Sequence, residues 1–351
     1  MNEILQDTPL REAVISNGIV ALLLSLTFWC IYKVKADRFW SRIFASLWQQ
    51  RRYSILLISA FVAVALVDSI LWIGASESTQ DVVSSQEARS LIDRLFAELN
   101  EKTYSAPLAS VLFNQTEALS HPGGHLLGTN LIGVDVLYIT LKGARVALLI
   151  GGLTSLIAIP LALFFGMIAG YFGGRVDDLI FFIMSTLASM PGLLLLVALI
   201  MALGQSTLSV CIALGVTSWV GFSSLARGET LKLRELDYVA AAKTLGVSDQ
   251  KIMRRHILPN LMHLVVITFV LMFSGLVLSE ASLSWLGIGV DKSWGQMIAQ
   301  AKNELSRSPV IWWNVASAGL ALFSLLLAVN RVGDSLRDIL DPRTQREGQA
   351  R

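Results

Sequence analysis

The sequence predicts an all-α polytopic membrane protein with about seven transmembrane helices. Of its 351 residues, 54% are hydrophobic and only 15% are charged, and the mean hydropathy is +0.61. These values are far more apolar than those of an average soluble domain. Apolar runs of roughly 20 residues, the length that crosses a hydrocarbon core, recur along the chain. The net charge of +2 is too small to indicate a nucleic-acid partner.

The first apolar run covers residues 13–32 and predicts an uncleaved span. The segment before it is acidic, with Glu3, Asp7 and Glu12 against Arg11, so it lacks the basic region of a signal peptide. Basic residues follow the span directly, and the positive-inside rule places them in the cytoplasm and the N-terminus outside. These residues are Lys33, Lys35, Arg38, Arg42, Arg51 and Arg52.

Residues 1–53 are interpreted as this span followed by an elbow helix in the membrane interface, because apolar and aromatic side chains repeat there at helical spacing. Residues 54–140 are interpreted as a second span, 54–74, which carries Asp68, and a long outer loop in which acidic residues outnumber basic ones. His121 and His125 bracket a Pro-Gly-Gly turn, which argues against their presentation as metal ligands on one helix, so no metal site is predicted.

Residues 141–343 are interpreted as the main transmembrane domain, followed by a cytoplasmic tail, 344–351. The first span of this domain is predicted to end near residue 171, and a short turn at 173–178 follows it. Four further spans are predicted at 179–203, 206–224, 263–288 and 311–332. Gly166 and Gly170 offer a small-residue face for close helix packing. All four segments that are predicted to be cytoplasmic carry basic residues, which gives an inside C-terminus.

Two features inside these spans predict a translocation pathway or gate. Met190 and Pro191 precede a glycine and interrupt the span 179–203; such a break is tolerated where protein or a water-filled path satisfies the freed carbonyls. Glu280 is an ionisable group within a span, which by default indicates a functional site.

A polar island at 237–259 lies between long apolar runs and predicts two short helices joined by a turn. Asp237 is expected to cap the first helix, Gly246 to end it in the left-handed conformation, and Ser248 to cap the second. The second helix is expected to pass through Ile252 and to stop near Pro259. The same pattern suits a DNA-binding helix-turn-helix, but the flanking spans would leave such a module little freedom to enter a major groove.

The island resembles the cytoplasmic coupling loop of importer-type ABC transporter permeases. That loop has Glu-Ala-Ala, three residues, Gly, nine residues and Ile-x-Leu-Pro, and the positions that match are Ala241, Ala242, Gly246, Leu258 and Pro259. Ala240 stands at the acidic position and His256 at the isoleucine position, so an acidic contact is missing or moved to Asp237 or Glu235. The resemblance implies an ATPase-coupling loop at 228–259.

A second run, from Leu126 to Leu137, resembles the Leu-Gly-Thr-Asp-x-x-Gly-Arg-Asp-Val segment of permeases for dipeptides, oligopeptides and nickel. The family residues that are kept are Gly128, Thr129, Gly133 and Asp135. Asn130 and Val134 replace the Asp and Arg of the pattern, so an ion pair between those two groups is absent. The tail from Gly333 to Pro342 resembles the same family, and the likeness covers roughly residues 38–343 in family order.

The resemblance implies a peptide-translocating permease of an ABC importer in the bacterial inner membrane: six family spans plus one extra N-terminal span. Nickel or another small solute is the alternative cargo. The chain carries no phosphate-binding Gly-x-x-x-x-Gly-Lys-Ser/Thr motif, so it is expected to be no enzyme and to bind no cofactor, with ATP-Mg on two separate ATPase subunits. The other implied partners are a second permease chain, an external solute-binding protein and lipid.

Two functions of other classes are weaker alternatives. A proton-coupled carrier would use Asp68 and Glu280, but internal repeats and charges nearer mid-membrane are not evident. A membrane-anchored transcription regulator would use the island as a helix-turn-helix, but it would need a detachable cytosolic domain.

Overall fold

A computed structural model describes residues 13–22, 24–25, 38–74, 87–97, 99–113 and 117–340. Within these residues, five helices are long and apolar enough to span a membrane, and a bent helix pair gives a sixth. A shorter apolar helix, α1 (Ala13–Leu22), lies in the first predicted span, most of whose remainder falls outside the described residues. The predicted all-α membrane fold is confirmed, with one small sheet added.

The helices and strands follow the chain in this order: α2 (Arg38–Ser69), β1 (Leu71–Gly74), β2 (Glu87–Ser90), α3 (Leu91–Leu95), α4 (Val136–Phe172), α5 (Gly174–Ser189), α6 (Gly192–Leu203), α7 (Thr207–Arg234), α8 (Asp237–Thr244), α9 (Asp249–Ile252), a π-helical turn (Met253–Ile257), α10 (Leu258–Trp285), α11 (Trp294–Glu304) and α12 (Trp313–Leu340).

The second span ends earlier than the sequence predicts. Helix α2 stops at Ser69, and β1 pairs antiparallel with β2, with Leu71 opposite Ser90. The end point of the prediction, residue 74, was wrong because an uninterrupted apolar run suits a buried helix and a buried strand equally well. Helix α2 is also interrupted at Arg51, whose backbone is not helical (φ −134°, ψ 32°), close to the predicted junction between elbow and span.

Helices α4 and α7 approach closely at two glycines. A Cβ atom at Gly166 would lie 2.6 Å from the carbonyl oxygen of Ser223, and one at Gly170 would lie 2.7 Å from that of Arg227. The small-residue face that the sequence predicts is therefore confirmed as a packing surface. Helix α4 continues through Pro160.

The connections of the main transmembrane domain differ from the predictions at three places. The turn at 173–178 is shorter than predicted, because α5 already begins at Gly174 and two successive glycines with positive φ, Gly173 (66°) and Gly174 (52°), redirect the chain. Helix α7 runs on to Arg234, so the loop predicted from 228 starts later. Helix α12 runs to Leu340, beyond the predicted residue 332, while the tail 344–351 lies outside the described residues.

The break in the span 179–203 is confirmed. Helices α5 and α6 meet at an angle of 90° around Met190 and Pro191. Met190 is extended (ψ 137°), as expected for a residue whose α conformation is disfavoured by the following proline ring.

The chain divides into two compact units. The first unit contains residues 1–148 and 291–335. It holds the loop segments between α2 and α4, the start of α4 and helix α11. The second unit contains residues 149–290 and 336–351, and it holds the rest of α4 and helices α5 to α10.

Candidate functional site

The 237–259 element is built around a left-handed turn. Gly246 has φ 76°, its N–H donates to the carbonyl oxygen of Lys243 at 3.0 Å, and the N–H of Val247 donates to that of Ala242 at 3.1 Å. These bonds satisfy carbonyls at the end of α8 that would otherwise have no partner. The turn predicted at Gly246 is therefore confirmed.

Of the two predicted caps, the one at Asp237 is wrong and the one at Ser248 is confirmed in position only. Leu236 is the N-cap of α8, and Asp237 lies in its first turn, where a carboxylate is favoured by the partial positive charge of the helix end. Ser248 is the N-cap of α9, but its side chain makes no capping bond. Its carbonyl oxygen instead accepts from the N–H groups of Lys251 (2.9 Å) and Ile252 (3.0 Å).

The second helix of the element does not stop near Pro259. Helix α9 passes through the π-helical turn Met253–Ile257 into α10, which gives one helix from Asp249 to Trp285. Pro259 lies in the first turn of α10. The prediction failed because the wide turn gives the proline ring the room that a regular α-helical turn denies it.

One face of the element is fixed to its own unit. The Tyr171 hydroxyl donates to Asp249 Oδ1 at 2.6 Å, and Arg234 Nη1 donates to the carbonyl oxygen of Gly170 at 3.0 Å. The first contact joins the element to the last turn of α4, and the second joins the end of α7, just before the element, to the same turn. An apolar cluster lies under these bonds and consists of Tyr171, Val239, Ala242, Ile252, Ile257 and Leu261.

The opposite face is open. Ala240, Ala241 and Gly246 are exposed, and the Leu245 side chain is 83% exposed beside them. Of the residues predicted for the coupling loop, Ala242 and Ile252 are buried and hold the element in place. His256 is half-buried, with its ring 5.9 Å from that of Tyr238.

An ion pair that the sequence analysis missed joins α5 to α7. Arg227 Nε and Nη2 each lie 2.5 Å from a carboxylate oxygen of Asp177. This two-point geometry fixes the direction of both side chains. The sequence does not predict this pair, because nothing in the local pattern around Arg227 indicates a partner on another helix.

The two predicted pathway features differ in exposure. Met190 and Pro191 are exposed at the bend. Glu280 is 4% exposed, and its Oε1 accepts a bond from the Ser284 hydroxyl at 2.6 Å. A groove of about 450 Å³ runs between α7 and α10, and its wall includes Ser218, Thr268 and Ser279.

The two glycines of the family motif are required by the backbone. Gly128 and Gly133 both have φ 75°, and a Cβ atom would lie 2.4 Å from the Ser105 carbonyl oxygen and 1.8 Å from that of Glu101, respectively. Any larger residue at these positions would therefore move the neighbouring loop.

The two polar residues of the motif join that loop to α4. Thr129 Oγ1 accepts from the Ser105 N–H at 2.6 Å and donates to the Thr103 carbonyl at 2.8 Å. Asp135 Oδ1 accepts from the N–H groups of Leu137 and Tyr138, at the first turn of α4. Asn130, which replaces the family Asp, accepts from two backbone N–H groups within its own turn.

His125 is fully buried between two carboxylates. Its Nδ1 lies 2.8 Å from Asp135 Oδ2, and its Nε2 lies 3.4 Å from Glu101 Oε1. Burial by itself would raise the pKa of Glu101, but hydrogen bonds from the Ser120 and His121 backbone and from His125 outweigh it and lower that pKa. Among the described residues, no group of three or more His, Cys, Asp or Glu side chains could hold a metal ion.

A second buried network is centred on Lys142. Its Nζ lies 2.8 Å from Asp68 Oδ1 and 2.7 Å from Asp93 Oδ1. Arg145 Nη1 lies 3.5 Å from Asp68 Oδ2, and the Ser90 hydroxyl donates to Asp68 Oδ1 at 2.8 Å. Although burial would raise the pKa of Asp93, its bonds to Lys142, Tyr138 and Ser90 hold it well below the usual range. The network joins α2, α3 and α4.

Comparisons with known proteins found a family match, similar permeases and a solved structure. Residues 162–346 match the family described as binding-protein-dependent transport system inner membrane component. The oligopeptide transport system permease protein OppC of Haemophilus influenzae is 34% identical over 63% of this chain and 71% of its own length. A putative peptide transport system permease protein of Brucella abortus is 38% identical over 64% of this chain and 75% of its own. A chain of the MetNI methionine ABC transporter superposes with a TM-score of 0.49 at 16% identity, over 59% of this chain and 98% of its own.

Proposed function

The chain belongs to the family of binding-protein-dependent transport system inner membrane components, and we propose that it forms half of the membrane pathway of an ATP-driven peptide importer. As a permease it is the membrane component of such a system, which also includes ATPase subunits and an external binding protein. The cargo is inferred from the peptide permeases that it resembles at 34% and 38% identity. A second, non-identical permease chain completes the pathway in this proposal.

The observation that carries the mechanism is the two-sided 237–259 element. Its exposed tip at Leu245 and Gly246 is suited to a cleft on an ATPase subunit, and the exposed Asp237 and Glu235 supply the acidic contact that Ala240 lacks. Its other side is bonded to the end of α4 through Asp249, and Arg234, at the end of α7 just before the element, bonds to the same turn of α4. A push on the tip therefore moves α4 and α10 with it, because the element is bonded to the end of α4 and continues directly into α10.

Gly246→Pro tests this assignment. Proline cannot adopt φ 76° and lacks the N–H that bonds to Lys243, so the turn should be lost. We expect ATP-dependent peptide uptake into proteoliposomes to fall to background while the protein still inserts into the membrane. Gly204→Pro is the matched control, since Gly204 (φ 87°) is also left-handed but lies outside the element. Normal uptake and normal co-purification of ATPase subunits with Gly246→Pro would show that the element is not the docking site.

For the pathway, we infer that the peptide passes the bend at Met190 and Pro191 and follows the groove between α7 and α10. Glu280 directly follows Ser279, a residue of the groove wall, in the sequence. Glu280→Gln keeps the shape and removes the charge. It should weaken uptake of peptides with a free N-terminus more than uptake of N-acetylated peptides, at unchanged assembly. An equal effect on both peptide classes would assign Glu280 a structural role instead.

The proposed orientation puts the N-terminus and the 75–140 loop outside and the C-terminus in the cytoplasm, from the distribution of basic residues. A cysteine placed at Thr8 or Ser84 should react with a membrane-impermeant maleimide in intact spheroplasts. Labelling only after permeabilisation would reverse the orientation.

A further inference from the structure

The first unit contains a cavity of about 650 Å³ that the transport mechanism above does not use. Three segments form its wall: β2 with α3, the start of α4, and the loop that enters α11. Its size is within the range of small-molecule sites, and it is open on one side. All of its lining residues belong to the same unit.

One corner of the cavity is cationic. The Lys292 ammonium group donates to the Tyr138 hydroxyl at 2.9 Å and lies 5.2 Å from the centre of the Tyr138 ring. Arg89 lines the same cavity. Among the described residues, no carboxylate forms an ion pair with Lys292. The wall of the cavity therefore carries two positively charged side chains, Lys292 and Arg89, and the Tyr138 hydroxyl.

The backbone holds Lys292 in this place at a conformational cost. Lys292 has φ 56°, which is uncommon for a residue other than glycine, and its N–H donates to Gln296 Oε1 at 2.8 Å. Gln296 Nε2 also donates to Asp291 Oδ1, so one amide side chain braces the loop. A strained residue that is braced by its neighbours and directed at a cavity is typical of a functional site.

Two acidic groups of the wall already have partners. Asp93 is paired with the Lys142 ammonium group and bonded to the Tyr138 hydroxyl, each at 2.7 Å, and Asp135 Oδ2 lies 2.8 Å from His125 Nδ1. The ammonium group beside Asp93 reduces the repulsion that this carboxylate exerts on an incoming anion. The third, Asp291, is exposed and lies beside Lys292 in the chain.

The rest of the wall suits a peptide backbone. It carries four amide side chains, three of which can both donate and accept further hydrogen bonds as a peptide group requires, while Asn130 can only donate. It also carries apolar surface from Phe96 and Met297. The amides are Asn100, Asn130, Gln296 and Gln300.

We propose that this cavity binds a short peptide of two or three residues by its terminal carboxylate, which pairs with Lys292 and Arg89. The choice of a peptide, rather than another carboxylate of that size, rests on the proposed import function. The site would hold a peptide on the permease itself, apart from the groove between α7 and α10.

Binding of trialanine to the purified permease pair in nanodiscs, without the binding protein, tests the proposal by calorimetry. We expect saturable binding that is at least tenfold weaker for trialanine amide, which lacks the terminal charge. Lys292→Gln and Arg89→Gln should each weaken trialanine binding at least tenfold. Lys302→Gln, which removes an exposed positive charge from α11 outside the cavity, should leave it unchanged.

Equal binding of the acid and the amide, unchanged binding by both cavity variants, or no saturable binding by the wild type would each overturn the proposal. Thermal unfolding of each variant shows whether it is folded. The Gly246→Pro variant separates this inference from the proposed function, because it should lose uptake and keep trialanine binding. Peptide uptake by a wild type that does not bind trialanine would refute the cavity site alone, and binding without uptake would refute the import function alone.

Discussion

The two units of the molecule fix their helices by different means. In the second unit, α4 and α7 touch through glycines, and no side chain separates the backbones at Gly166 and Gly170. In the first unit, α2, α3 and α4 are joined by charges, with Lys142 between Asp68 and Asp93. Glycine packing depends on shape and tolerates sliding, whereas a buried ion pair specifies one partner and is costly to break. We therefore expect the helices of the second unit to shift against one another and those of the first unit to keep their geometry.

The largest effect is expected from Lys142→Met, which removes the shared cation and leaves Asp68, 1% exposed, with the more distant Arg145 as its cation and the Ser90 hydroxyl as a neutral donor. Loss of one partner of a buried ion pair costs about 3–5 kcal/mol, so the thermal unfolding temperature in detergent should fall sharply. Lys232→Met is the control, because Lys232 pairs with Glu229 at the surface and is 76% exposed. Exposed pairs contribute about 0–1 kcal/mol. Similar losses in the two variants would remove the distinction between the units.

A smaller effect is expected from Gly170→Ala. Its Cβ would lie 2.7 Å from both the Arg227 carbonyl oxygen and the Thr230 Cβ, and overpacking of this kind costs about 1–3 kcal/mol. Gly152→Ala, in the same helix but with nothing within 4 Å, should be neutral or should stabilise the helix by up to about 1 kcal/mol. Unfolding temperatures of the two variants measure the difference. A stable Gly170→Ala protein would mean that the two helices separate easily.

The smallest effect concerns two carboxylates of the first unit whose pKa values shift in opposite directions. The pKa of Glu101 is lowered below its ordinary value of 4.5, so its stabilising contribution is present above pH 4.5 and is lost as pH falls through the folded pKa. The pKa of Glu304 is raised, chiefly by burial, so its contribution is present below pH 4.5 and is lost as pH rises through the folded pKa.

Unfolding temperatures of Glu101→Gln and Glu304→Gln, followed from pH 3.5 to 7, should therefore diverge. The deficit of Glu101→Gln relative to the wild type should shrink as pH falls below 4.5. Glu304→Gln should gain on the wild type as pH rises above 4.5, because the glutamine still accepts the bond from Asn314 without a buried charge. Parallel pH profiles for both variants would contradict the two shifts.

The features that the sequence predicted correctly are local ones. The spacing of Gly166 and Gly170, the left-handed residue at Gly246 and the break at Pro191 each depend on a few neighbouring residues. The features that it missed require a partner from elsewhere in the chain. Lys142 shows no local sign that it faces Asp68, and residues 71–74 form a strand only because Glu87–Ser90 returns to pair with them.

The coupling residues divide in the same way. Their positions follow from motif spacing, but their roles follow from burial. Ala242 and Ile252 belong to the motif region and pack inside, while Leu245, which the motif does not include, is the most exposed apolar side chain of the element. Side-chain exposure depends on the packing of α4 and α10 against the element, which no pattern within 237–259 specifies.

The π-helical turn at Met253–Ile257 allows the continuous helix from Asp249 to Trp285 to change its register. Such a turn contains one residue more than an α-helical turn. If this turn is converted to an α-helical turn, the extra residue joins the regular helix, and the segment beyond it rotates by about 100° and shifts by about 1.5 Å while the backbone stays hydrogen-bonded. A small displacement at the start of this helix can thus change which side chains α10 presents to the groove between α7 and α10.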